Sequence, residues 1–179
     1  MKVETMTCSM IARAAMRSAL SVIILLMTFA AKAAVFDEND TSRMADINAA
    51  IASLEKDVSR SLHGVPPDDA EKIEAYSYVE LNLEAAQERL NSIFLLVAVS
   101  MYVDSASDLV QILHLINAQL LPPSKTYLNE RKDAIASMAA SHPANDEFAA
   151  YNTRAAAILG ERAIPLLDEL YRRIAAVLR

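Results

Sequence analysis

The sequence predicts an all-α protein, an up-and-down antiparallel bundle of about five helices. Apolar residues recur every three or four positions through most of the 179 residues, which is the spacing of one face of a helix. The chain has two glycines, Gly64 and Gly160, which are too few for the tight turns of a β protein. Short loops marked by prolines or polar residues separate the segments, and short loops make consecutive helices antiparallel neighbours.

Residues 1–33 are typical of a secretory signal peptide. Basic residues precede an apolar run, and Ala31-Lys32-Ala33 has the small-x-small pattern of a cleavage site. We therefore expect cleavage after Ala33 and a periplasmic or secreted protein. An uncleaved anchor is the alternative, although the apolar run of 14 residues is shorter than the roughly 20 that span a bilayer. We expect no membrane span in the mature chain.

Composition excludes several classes of function. Cleavage removes four of the 17 basic and one of the 23 acidic residues, so the net charge moves from −6 to −9. An acidic chain argues against nucleic-acid binding and against adhesion to anionic lipid. The only cysteine, Cys8, lies in the leader, which excludes a disulfide or a Cys-ligated zinc ion in the mature protein. The isolated glycines cannot form a phosphate-binding loop.

The mature chain is predicted to begin with a flexible acidic N-terminus, residues 34–41, followed by a helical bundle domain, residues 42–179. A first helix is expected from Ser42 to Leu62, with Gly64 in the position of a C′ glycine and Pro66-Pro67 preventing continuation. Its single apolar stripe comprises Met44, Ile47, Ile51, Leu54, Val58 and Leu62.

Three further helices are predicted before residue 142. The second follows Pro66-Pro67 and its pattern can run over residues 68–103. The third starts after a cap at Ser105 and ends at Pro122-Pro123. The fourth is capped by Ser124 and stops before His142-Pro143.

The last helix is expected to be capped by Asn145 and kinked at Pro165. A proline lacks the amide hydrogen that would bond to the carbonyl of Glu161, and its ring crowds that turn. Gly160 makes a bend at this place easier.

Glu80, Glu84 and Glu88 form a ladder with a spacing of four residues on the second helix. A solvated face explains such a ladder, and so does pairing with Arg131-Lys132 or Arg172-Arg173 of another helix. The functional interpretation is a docking strip for a basic partner or a divalent cation. These three residues are candidates for partner binding.

Phe94, Leu95 and Leu96 are the second group of candidates for partner binding. They lie within residues 93–99, which are apolar on every side of a helix. A helix of this kind is enclosed by its own protein or covered by a partner.

No catalytic, metal or cofactor site is predicted. His63, His114 and His142 are far apart in sequence, and no serine has a recognisable partner histidine and acid. Haem held between helices by a Met and a His would have to use these histidines with Met44, Met101 or Met138, which fall on apolar stripes where core packing is the common role.

The sequence thus favours a non-enzymatic, exported helical bundle that binds another protein or itself. The alternative is a periplasmic carrier of a small apolar molecule, lodged between helices and gated at Pro165. An enzyme is the third possibility, with no residues to nominate.

Overall fold

A computed structural model describes residues 35–141 and 146–179, and in this part the protein is all helical with no strand. The signal peptide predicted at residues 1–33, the cap at Asn145 and the turn at His142-Pro143 lie outside the described residues. The described residues form four helices, where about five were predicted. They are α1 (Glu38–Gly64), α2 (Ala70–Ser100), α3 (residues 106–141) and α4 (residues 146–177).

Side-chain contacts between the helices show that the bundle is antiparallel. Between α1 and α2, the amide of Asn48 donates to that of Asn91. Between α1 and α4, Arg154 bonds to Asp57 and Arg43 bonds to Glu169, so residue numbers rise along one helix as they fall along the other. Helix α2 also packs on α3, and α3 packs on α4.

Helix α1 begins at Glu38, earlier than the predicted Ser42, because a capping box forms upstream. The side chain of Asp37 accepts from the backbone N–H of Asp40, and the side chain of Asp40 accepts from that of Asp37. Val35 and Phe36 are buried in the core just before this cap. At the other end, Gly64 is the last helical residue and has no positive φ, so it does not form the predicted C′ cap.

The predicted helix break at Pro122-Pro123 is wrong. Helix α3 consists of Ala106–Leu115, a π-helical turn Ile116–Leu120, and Leu121–Ser141. In the π-helical turn, the N–H of Leu121 bonds to the carbonyl of Ile116, five residues earlier. The wider turn lies directly before the prolines, where the ordinary bonds to the preceding turn are lost. The helix therefore continues through a pair of prolines.

The same arrangement occurs in α4 before Pro165. This helix consists of Asp146–Ala156, a π-helical turn Ala157–Ala163, and Ile164–Val177. The N–H of Ile164 bonds to the carbonyl of Leu159, again five residues earlier. The predicted kink at Pro165 is not confirmed, since the helix is continuous and shows a local change of winding before the proline.

The core runs along the centre of the bundle and consists mainly of aliphatic side chains. The apolar stripe predicted on α1 is confirmed, since five of its six residues are fully buried and Leu62 is partly buried. The largest fully buried side chains are Phe148, Ile47, Ile51, Leu54, Leu83, Leu90, Ile93, Leu109, Leu113, Ile116, Leu121 and Leu128.

Candidate functional site: the outer face of helix α2

Residues of the predicted acidic ladder line two different cavities. Glu80 is half-buried beside α1, where it lines a groove with Glu55. Burial, followed by repulsion from Glu84 and Glu80, raises the pKa of Glu55 above its ordinary value of 4.5. Glu88 lies farther along α2 and lines a different cavity, next to Tyr127 of α3. The ladder therefore divides between two sides of α2.

The basic residues considered as partners of the ladder bind elsewhere. The guanidinium of Arg131 donates to the buried amide of Asn82 at 3.2 Å and lies 4.7 Å above the ring of Tyr127. Arg173 bonds to Asp40 at 2.6 Å. No neutralising contact to Glu80, Glu84 or Glu88 is formed by these two arginines.

The three predicted apolar candidates differ in exposure. Phe94 is buried in the core and Leu96 is partly buried against it, whereas 65% of Leu95 is exposed. Only Leu95 is therefore fully available to a partner. The sequence did not show this difference, because every residue in the run is apolar.

Leu95 belongs to a line of exposed residues that runs along α2 and into the turn after it, where Tyr102 lies, and that the sequence analysis missed. Five of the eight large exposed apolar side chains in the described residues lie on this line, and Leu81 and Tyr102 among them are 62% and 84% exposed. The line follows alternate steps of three and four residues, the spacing of one helix face. We call this the outer stripe. Its members are Tyr78, Leu81, Ala85, Glu88, Ser92, Leu95, Val99 and Tyr102.

The outer stripe lies opposite the buried face of the same helix. The buried residues Val79, Leu83, Leu90 and Val97 point into the core, and the outer stripe occupies the positions between them. The residues of the outer stripe repeat at three and four positions, as the core residues do, but on the opposite face of α2. This second repeat was the signal in the sequence that could have revealed the outer stripe.

A shallow cavity of about 300 Å³ lies at the centre of the outer stripe. Ala85, Glu88, Arg89 and Ser92 line one side, and Tyr127 of α3 lines the other. The Nε atom of Arg89 donates at 2.6 Å to the hydroxyl of Ser124, which is fully buried within α3 and does not cap a helix as predicted. This bond fixes the flank of the cavity to the bundle.

A second polar cluster joins three helices at one end of the bundle. The carboxylate of Glu147 on α4 accepts from Ser61 at 2.5 Å, from Tyr151 at 2.8 Å and from Tyr76 at 3.2 Å. The bonds from Ser61 and Tyr151 lower the pKa of Glu147, against the opposing effect of burial. Burial in turn raises the pKa of Tyr151. Because each of the three hydroxyl groups bonds to the carboxylate of Glu147, the cluster holds the ends of α1, α2 and α4 together.

The histidines and methionines are dispersed over the described residues. His63 bonds through Nδ1 to the carbonyl of Ser59 on its own helix, and His114 is exposed on α3. His142 lies outside the described residues. Met44 is buried in the core, while Met101 and Met138 pack against it. Within residues 35–141 and 146–179, no cluster of three His, Asp or Glu side chains could hold a metal ion.

A helix that crosses a bilayer needs about 20 predominantly apolar residues. Across the described ranges, every helix is too short or too polar to cross a membrane. Comparison with known proteins matches the chain to no family model, no curated protein and no solved structure. The outer stripe is therefore the feature of the described structure that bears on function.

Proposed function

We propose that this protein is an exported, non-enzymatic helical bundle that binds another protein through the outer stripe of α2. The single observation that supports the proposal is the exposure of Leu81 and Leu95 on one face of α2, continued by Tyr102 in the turn after the helix. Clusters of exposed apolar residues commonly mark interaction sites, and the outer stripe carries one such cluster towards each end. The predicted signal peptide at residues 1–33 supports the location in the periplasm or outside the cell.

The binding energy available to such a surface is substantial. Full burial of one large aliphatic side chain contributes about 1.5–3 kcal/mol. Tyr78 and Tyr102 at the two ends add large rings whose hydroxyl groups can stay in water, as is common at protein interfaces. A partner helix laid along α2 would cover all five exposed apolar residues at once.

The alternative function, a carrier of a small apolar molecule, has less support. A cavity of about 190 Å³ lies between α3 and α4, beside the Lys125–Asp168 ion pair. This volume is below the roughly 300–1,000 Å³ of ordinary ligand sites. The larger groove, of about 600 Å³, is lined by charged residues including Glu55, Lys56 and Arg60. A gate formed by bending α4 at Pro165 stays part of that alternative.

A photo-crosslinking experiment in cells tests the proposed function. A photoreactive amino acid in place of Leu95 is expected to give a covalent adduct with a partner, because this side chain projects from the outer stripe. The matched control is the same replacement at Val110, an exposed apolar residue of α3 outside the stripe. Adducts at neither position, or equal adducts at both, would contradict the proposal.

Export is tested separately by fractionation and mass measurement. The expected product is a periplasmic or secreted chain that starts at Ala34. A full-length chain recovered from the membrane fraction would favour the uncleaved anchor.

A further inference from the structure

The spacing of the outer stripe is the same in both directions, and the two outermost residues at each end are alike in type. The steps between its members are three, four, three, four, three, four and three residues, so the stripe is symmetric about position 90, between Glu88 and Ser92. Tyrosine stands at both ends, and a large aliphatic residue, Leu81 or Val99, comes next to each. A surface of this kind is complementary to itself when turned by 180°.

We infer that the partner of the outer stripe is a second copy of this chain, with the two α2 helices packed antiparallel about a twofold axis near residue 90. This inference rests on the proposed function, because it names the partner for the same surface. Twofold interfaces are self-complementary, so each contact occurs twice. The paired positions are Tyr78 with Tyr102, Leu81 with Val99, Ala85 with Leu95, and Glu88 with Ser92 of the second copy.

Shape supports this register. Ala85 has the smallest side chain of the outer stripe and borders the central cavity of about 300 Å³, whereas Leu95 projects with 65% of its surface exposed. In the antiparallel pairing, Leu95 of each copy faces Ala85 of the other, so a projecting residue meets a recess on both sides of the axis. Such knob-and-hole contacts are how paired helices pack.

Charge supports the antiparallel direction. Glu88 is the charged residue of the outer stripe, and Arg89 lies next to it in the chain; both line the central cavity. A parallel pairing in register would set Glu88 directly against Glu88 of the second copy. In the antiparallel pairing, Glu88 is about 4.5 Å along the axis from Arg89 of the second copy, and about 6 Å from its Glu88.

The size of the surface predicts the strength of association. The stripe is about 36 Å long, and a helix with its side chains is about 10 Å wide. A contact of that length and width buries less than the roughly 1,200–2,000 Å² of a standard stable interface. The dimer is therefore expected to be reversible and to depend on protein concentration.

Cysteine crosslinking tests both the partner and the direction. In a Cys8→Ser background, Leu81→Cys and Val99→Cys are made as separate variants and then mixed under mild oxidation. The antiparallel pairing brings these two positions together, so the mixture is expected to form a mixed disulfide dimer, whereas either variant alone forms far less. Within one chain the two positions are about 27 Å apart along α2 and cannot join.

Two results would overturn the inference. One is a covalent dimer of Leu81→Cys alone that forms as readily as in the mixture, which indicates a parallel pairing. The other is a protein that stays monomeric by sedimentation at millimolar concentration and gives no mixed disulfide. If that monomer still gives adducts at Leu95 in cells, the proposed function stands with a different partner; if it gives none, both fail.

A charge variant gives a second measurement with a matched control. Glu88→Arg places a cation beside Arg89 of the second copy and is expected to weaken dimerisation by about tenfold or more. Asp46→Arg makes the same change of charge at an exposed position of α1, away from the outer stripe, and is expected to leave the dimer unchanged. Equal effects of the two variants would contradict the register. Circular dichroism confirms that both variants are folded.

Discussion

Arg173 Nη2 lies 2.6 Å from Oδ1 of Asp40 and joins the last helix to the first turn of α1, although the two residues are 133 positions apart. Asp40 is 1% exposed, so this carboxylate is held inside the protein. Its other oxygen accepts the backbone N–H of Asp37, which closes the capping box of α1. The side chain of Asp40 therefore both caps the start of α1 and bonds to the end of α4.

Asp40→Ala is expected to destabilise the protein by about 2 kcal/mol, because it removes a short hydrogen bond between charged groups and leaves Arg173 with only the longer contacts to Asp37 and Glu169. Loss of the helix cap contributes to the same change. Urea unfolding measures the difference. The control is Asp46→Ala, an exposed position of the same helix. A loss no larger than in the control would show that the ion pair contributes nothing net.

Glu147→Gln is expected to lower stability at neutral pH and to reduce its acid dependence. The pKa of Glu147 in the folded protein lies below 4.5, since Ser61 and Tyr151 donate hydrogen bonds to its charged form. The contribution is therefore complete above pH 4.5 and is lost as the pH falls through the lowered pKa. Thermal unfolding measured across this range checks the prediction. Glu161→Gln, an exposed position of the same helix, is the control.

Glu55→Gln is expected to have the opposite effect and to raise stability at neutral pH. Burial and the nearby Glu84 and Glu80 raise the pKa of Glu55 in the folded protein above 4.5. Stability in the wild type therefore falls as the pH rises from 4.5 through the raised pKa, and the amide removes this fall. The free energy of unfolding, measured at pH values below and above this range, gives the size of the fall. A variant less stable than Glu74→Gln, an exposed control on α2, would contradict the prediction.

Leu83→Ala is expected to cost about 3 kcal/mol of stability, because Leu83 is fully buried and its loss leaves a cavity in the core. Leu81→Ala, two residues away on the exposed face of α2, is expected to change stability by no more than about 0.5 kcal/mol. Denaturant unfolding of both variants checks which face of α2 is buried and which is exposed. Equal losses would mean that the outer stripe is already covered in solution.

The helical content and the buried face of α1 could be predicted from the sequence because both follow from local spacing. Met44, Ile47 and Ile51 repeat at three and four residues, and the core accepts that face. The continuity of α3 could not be predicted in this way. Pro122-Pro123 ordinarily ends a helix, but burial of Leu121 and Ser124 against the bundle holds the chain in helical form with a π-helical turn before it.

The candidate site was predicted only in part. Leu95 was identified within an apolar run, but the run could not show that Phe94 faces inward, since that depends on how α2 is rotated against its neighbours. Glu80, Glu84 and Glu88 share a spacing in sequence, yet the twist of the helix turns Glu80 towards α1 and Glu88 towards α3. The contact of Glu147 with Ser61 spans 86 positions and leaves no local pattern.

The two π-helical turns also bear on how the length of this chain can vary. A π-helical turn holds one residue more than an α-helical turn at the same place, and here each one lies just before a proline, at Pro122 and at Pro165. Deleting one residue from Ile116–Leu120 or Ala157–Ala163 would restore regular winding, with the flanking faces still in phase with the core. The proline after it would then lie in an ordinary helix interior, where it is costly. The extra residue and the proline are therefore expected to be gained or lost together.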